Sequence, residues 1–172
     1  MKRGASLLIA AMAILGFIAS SGMGAPLLAR FDGGIGVIPV STGVGQDPQA
    51  EVVNRNLVRG VQPPGQIWVI RELRAIVGAD GRIKVDGRGL LLGGGNNIGG
   101  NANASVFATL ICEATAPFVE HSTTQDVPLE ANGDFRIDDV LVPEPPLECA
   151  SPVLLIRNAA NSAWFAAGIL AE

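Results

Sequence analysis

Three features predict an all-β fold. Apolar and polar residues alternate with a period of two through residues 66–92, turn signals recur at short intervals, and no helical period follows residue 24. Together they point to an antiparallel β-sandwich, Ig-like in general architecture, with a flattened β-barrel as the alternative.

The clearest element is the hairpin around Ala79-Asp80-Gly81. A three-residue loop of this kind places a residue with positive φ third, where glycine costs least, and Gly81 stands there. That turn sets Val77 opposite Ile83, Ala75 opposite Val85 and Val69 opposite Leu91 on one face. On the other it sets Arg74 opposite Asp86, Glu72 opposite Arg88, Ile70 opposite Leu90 and Trp68 opposite Leu92. Sliding the strands by two residues brings like charges together, so turn and charge pattern specify one register. Arg71 falls on the apolar face opposite Gly89. Its stem is expected to pack over the glycines while its head reaches an edge or a carboxylate; the sharper reading is an anion-binding arginine at the sandwich rim.

Taken in order, residues 1–24 have the form of a secretory signal peptide. Lys2 and Arg3 precede an apolar run of about 14 residues, short of the about 20 needed to span a membrane, and small residues follow. Residues 25–64 form an extended segment with one or two short strands. Within it, Ile35, Val37 and Val40 belong to an apolar stretch suited to strand addition on a neighbouring molecule; the plainer expectation is pairing within the chain. Pro39 argues for an edge there. Residues 56–61 read as a further short strand, and residues 65–172 as the core, with 25–172 forming one domain.

Residues 93–104, with five glycines and four asparagines, form a loop. The next strand, from Val106 to Cys112, is apolar on both faces and therefore central. Residues 116–122 read as a weak edge. Residues 127–137 repeat the first turn device, with Gly133 as the third loop residue, pairing Leu129 with Phe135 and Val127 with Ile137. Two apolar runs around Asn158 to Asn161, with Trp164 and Phe165 near the start of the second, close the chain as a buried hairpin.

Without the signal peptide, ten basic residues face sixteen acidic ones, a formal charge of −6, and Lys84 is the sole lysine. Nucleic acid and anionic membranes are therefore poor partners, and no membrane insertion is expected after signal removal. Cys112 and Cys149 are the only cysteines. After a signal peptide they read as one disulfide, worth roughly 4 kcal/mol by loop-entropy arguments.

Catalytic signals are sparse. His121 is the sole histidine, no G-x-S-x-G elbow is present, and a solvated histidine is the expectation beside Glu120 and Ser122. Glu130, Asp134, Asp138 and Asp139 form the densest acidic cluster but lack the order of a calcium loop. Neither a metal nor a cofactor is expected. The amides of Asn96, Asn97, Asn101 and Asn103 offer donors and acceptors to a ligand, and Asn103-Ala104-Ser105 matches a glycosylation sequon. The function expected is a secreted or periplasmic non-enzymatic module that binds a protein or glycan or serves a structural role. The alternatives are a homo-oligomer built by strand addition and a hydrolase using His121.

Overall fold

A computed structural model describes residues 25–44 and 51–172. The expected signal peptide, residues 1–24, lies outside the described residues. The strands are β1 (Leu27–Gly36), β2 (Val40–Val44), β3 (Glu51–Arg55), β4 (Trp68–Val69), β5 (Glu72–Gly78), β6 (Arg82–Arg88) and β7 (Leu91–Leu92). They continue with β8 (Ser105–Ile111), β9 (His121–Thr123), β10 (Val127–Pro128), β11 (Phe135–Val142), β12 (Val153–Asn158) and β13 (Trp164–Leu170).

β5 and β6 pair in the register expected from the Gly81 turn, with Val77 opposite Ile83 and Arg74 opposite Asp86. Beyond this hairpin β4 and β7 keep the same register, Trp68 opposite Leu92 and Val69 opposite Leu91. Between the two ladders the expected Ile70–Leu90 pair is not made, because the Leu90 N–H donates to Gly133 O. Opposed charges do not always make the closest pairs. Arg74 reaches Asp32 on β1 at 3.4 Å, while Asp86 takes Arg88 and Arg136 at 3.2 and 3.1 Å. Exposed pairs of this kind contribute little stability each, so they select register more than they hold the fold.

The sheet runs β8-β12-β13-β1-β5-β6-β11-β9, antiparallel throughout, and β9 bonds back to β8 through Thr109–Ser122 and Leu110–His121. It is therefore a closed eight-stranded barrel. The sandwich expectation gives way to the barrel alternative because the end of the segment read as a weak edge, His121 and Ser122, lies in a strand bonded on both sides, to β8 and to β11, while residues 116–120 form no strand. A closed sheet has no edge strand to protect.

β1 is part of this wall. Its first half pairs with β5 and its second half with β13, the register shifting between Phe31 and Gly34. Ile35 lies opposite Ala167, Val37 is fully buried and donates to Phe165 O, and Val40 begins the separate β2–β3 hairpin. The main chain of the expected assembly strand is thus largely bonded within its own chain. Residues 58–61 form a tight two-residue turn in place of the expected strand. Val58 and Val61 exchange both hydrogen bonds, and Arg59 and Gly60 take positive φ, the dihedrals of a type I′ hairpin.

Leu73, Val77, Ile83, Leu110, Leu154 and Ile156 are fully buried, each worth about 1.5–3 kcal/mol relative to exposure. Large rings fit by lying over glycines, Phe135 against Gly87 and Phe31 against Gly168. β8 and β12 are buried on both faces, as the apolar pattern of β8 implies, because segments 56–64 and 113–120 cross the outside of the barrel. Trp164 donates to Asn56 O, and its main chain to Gln62 O. The Arg59 guanidinium lies over the Phe118 ring and donates to Ser151 Oγ. Buried Arg157 donates to Glu120 at 2.6 Å and lies over Phe107. The Cys112–Cys149 disulfide, closing a separation of 37 residues, anchors the C-terminal side of this cover.

The turn at Gly133 forms as expected, its N–H donating to Glu130 O, but the hairpin then opens. Val127 pairs with Val106 and Ile137 with Val85, not with each other. Extending the Leu129–Phe135 register to the far end nevertheless reaches Thr123 opposite Leu141, a pair that is made. The strands diverge because β10 gains more by bonding to β8 after the irregular residues 124–126.

Both turn glycines have positive φ, but their surroundings differ. A Cβ on Gly81 would meet only Pro145 Cδ closely, at 3.3 Å, whereas on Gly133 it would sit 2.6 Å from the Leu90 main chain. Gly81→Ala is therefore expected to cost about 1–2 kcal/mol, and Gly133→Ala distinctly more. Urea midpoints of the two variants check this; equal costs would contradict the close approach at Gly133.

Candidate functional site

The glycine- and asparagine-rich loop folds back on itself rather than extending into solvent. Leu92 N–H donates to Gly100 O and Gly99 N–H to Leu92 O. Asn101 is the clamp: its side-chain amide donates to Leu129 O and Glu130 O at 3.1 and 3.0 Å, and its Oδ1 accepts from Asn103 N. Holding the chain there forces Ala102 and Asn103 into left-handed backbone, with φ of 52° and 49°. Alanine in that region costs roughly 1–2 kcal/mol, so two successive such residues mark a locally over-determined conformation.

The sequence grouped Asn96, Asn97, Asn101 and Asn103 as ligand contacts, and the structure separates them. Asn96 and Asn97 lie at the exposed tip, Asn101 is consumed by the clamp, and Asn103 reaches a cleft of about 580 Å³ between this loop and the β12–β13 turn. The cleft is also lined by Ser105, Asp126, residues 158–160, Trp68 and Phe165. Trp68 and Phe165 are buried and stacked, their ring centroids 3.9 Å apart and their planes inclined by 13°. They form a rigid floor. Asn158 is committed to its own turn, donating to Asn161 Oδ1 and accepting from Ala160 N. Among the described residues, the Asn103 amide and the Asp126 carboxylate make no side-chain hydrogen bond within the chain, which leaves them available to a ligand. Asp126 and the ring floor were not legible in the sequence: Asp126 carries no motif, and the stack joins Trp68 of β4 to Phe165 of β13, about a hundred residues apart.

His121 is not solvated. It is 4% exposed, its Nδ1 lies 2.8 Å from Pro143 O, and its buried Nε2 has no partner. A carbonyl only accepts, so Nδ1 donates to Pro143 O. The solvated expectation fails because closure turns His121, opposite buried Leu110, into the barrel. The position leaves Nε2 out of reach of a substrate in solution.

The acidic cluster is dispersed as well. Asp138 pairs with Lys84 on the outer face, and Asp134 accepts from Gly89 N and approaches Arg71 at 3.9 Å. Arg71 lies over Gly89, with its guanidinium directed at that carboxylate. Among the described residues no group of three or more acidic, histidine or cysteine side chains is placed to hold a metal. Asp139 fills the gap where β9 leaves β11, accepting from the N–H groups of Thr124 and Gln125 and from the Thr124 hydroxyl. Burial opposes its ionisation, but these hydrogen bonds and that from Val140 N outweigh it and hold the carboxyl below its ordinary value. Glu113 is likewise lowered, chiefly by the Val119 N–H.

Comparison with protein-family models, with curated proteins and with solved structures gives no match. What fold and site define is therefore a class of architecture: a disulfide-bonded, closed antiparallel β-barrel with a polar cleft at one loop cluster.

A depressed native pKa contributes stability that is complete above the unfolded value, about 3.9 for aspartate, and is lost as pH falls through the native value. Asp139→Asn should lower stability at pH 7 by about 1–3 kcal/mol and lose less on acidification than the parent. Urea unfolding of both proteins between neutral pH and about pH 3 checks this. Parallel acid losses would contradict the role given to Asp139.

Proposed function

We propose that the protein is an exported, non-enzymatic binding module that recognises a glycan or a polar protein segment through the Asn103 cleft. The observation that carries this reading is the juxtaposition, over a stacked aromatic floor, of an uncommitted carboxylate and an uncommitted amide, the amide on backbone held in left-handed geometry. Such an arrangement offers preorganised donors and acceptors. Export is supported by the charged-then-apolar start of the sequence and by the bonded cysteine pair, which an oxidising compartment sustains. Among the described residues no helix is long and apolar enough to cross a membrane.

The hydrolase reading loses its base to the barrel interior, and the strand-addition reading finds residues 34–36 already paired with β13. Binding at a shallow cleft is expected to be weak and to depend on both polar groups. A glycan array and a pull-down from the native extracellular milieu should yield a ligand whose affinity falls about tenfold, or about 1.4 kcal/mol, in Asn103→Ala and in Asp126→Ala. Capture that is unchanged in both variants, or no capture at all, overturns the proposal.

A further inference from the structure

The outer face of β1, β5, β6 and β11 carries a trough of about 630 Å³ that shares no lining residue with the Asn103 cleft. Its charges are ordered by the strand registers. One row across the four strands reads Asp32, Arg74, Asp86, Arg136, alternating in sign at every step. The adjacent row reads Arg30, Ile76, Lys84, Asp138, and the row on the other side holds Glu72 opposite Arg88.

An even-numbered alternating row is complementary to its own reversal. If a second copy is laid face to face by a two-fold axis running along the strands between β5 and β6, each row meets itself reversed. Asp32 of one protomer then faces Arg136 of its partner, and Arg74 faces Asp86. In the neighbouring row Arg30 faces Asp138, while Ile76, 55% exposed, faces the aliphatic stem of Lys84. Glu72 faces Arg88. No like charges face one another. Solvation alone asks only that opposite charges be interspersed; it does not require that one axis reverse the Asp32 row completely and bring no like charges together in the rows on either side of it.

From this charge complementarity we infer that the outer face of β1, β5, β6 and β11 is a self-association surface whose occupant is a second copy of this chain. The interface is isologous, as two-fold symmetry demands. Asp32 and Asp86 keep their two cations within the chain and gain a third from the partner, within the about four lone-pair sites of a carboxylate. With strands about 4.8 Å apart and rows about 6.8 Å apart, the charged face projects only about 300–400 Å². A stable interface covers about 800 Å² per partner, so the dimer is weak and salt-sensitive.

Sedimentation equilibrium of the purified protein at about 0.01 M and about 0.5 M salt tests this, with the dissociation constant expected to rise at least tenfold at high salt. Arg74→Asp and Asp86→Arg should each be monomeric, since each sets like charges across the axis. An equimolar mixture should dimerise again, because the heterodimer restores both contacts while each chain keeps its own internal mismatch. If either variant fails to fold by circular dichroism, Asp32→Arg mixed with Arg136→Asp, at the rim of the face, repeats the test. A parent protein that stays monomeric at low salt, single variants that dimerise like it, or a mixture no heavier than its components overturns the inference. These outcomes are independent of ligand capture at the Asn103 cleft.

Discussion

Closure of the barrel rests on a three-residue strand. β9 bonds to β8 on one side and β11 on the other, and what surrounds it serves that double pairing. The Thr123 hydroxyl accepts from Ala108 N and donates to Gln125 O, so its side chain takes over where the main-chain ladder with β8 falters. Asp139 does the same on the β11 side, satisfying N–H groups that the departing strand would leave unpaired. Thr109 and Ser122 join hydroxyls on the outer face, and His121 takes up interior volume. Buried main-chain groups must find partners. Here side chains supply them at the one seam where strand length does not.

The same seam marks the boundary of what was legible in the sequence. The β5–β6 hairpin could be read to the residue because turn chemistry, apolar alternation and charge pairing agree, and a one-residue slip would reverse every side chain. The final two runs were legible as a hairpin from their apolar content and the Asn158 to Asn161 turn between them, but without a register. Closure was not, since His121-Ser122-Thr123 has no apolar signature and alternation with a period of two is common to sandwiches and barrels. Nor was the opening of the Gly133 hairpin: local matching favoured Val127 against Ile137, and a longer-range bond to β8 prevailed. The Asn103 loop was legible as a loop, but which asparagine amide is left without a partner in the chain depends on Asn101 being spent on the turn beside it.

The molecule divides its surface between two kinds of wall. Around β8, β12 and β13, crossing segments cover the outside, tied down by Arg157, Arg59 and the disulfide. Around β1, β5, β6 and β11 the wall is bare, and outward positions carry ordered charge. The covered half explains the doubly apolar strands, and the bare half explains why most of the exposed ion pairs lie there. The proposed cleft sits at one end, where loops from the covered half meet the Gly/Asn loop, so a rigid wall positions its polar groups.

The barrel stands or falls with β9 bonding on both sides. The direct test is solution NMR of the disulfide-bonded protein, combining cross-strand contacts with amide exchange at residues 121–123. Closure predicts contacts from His121 to Leu110 and from Ser122 to both Thr109 and Val142, with slowly exchanging amides in β9. Contacts to one neighbour only, with β9 amides exchanging as in an open chain, would restore the sandwich with a free edge and contradict the barrel.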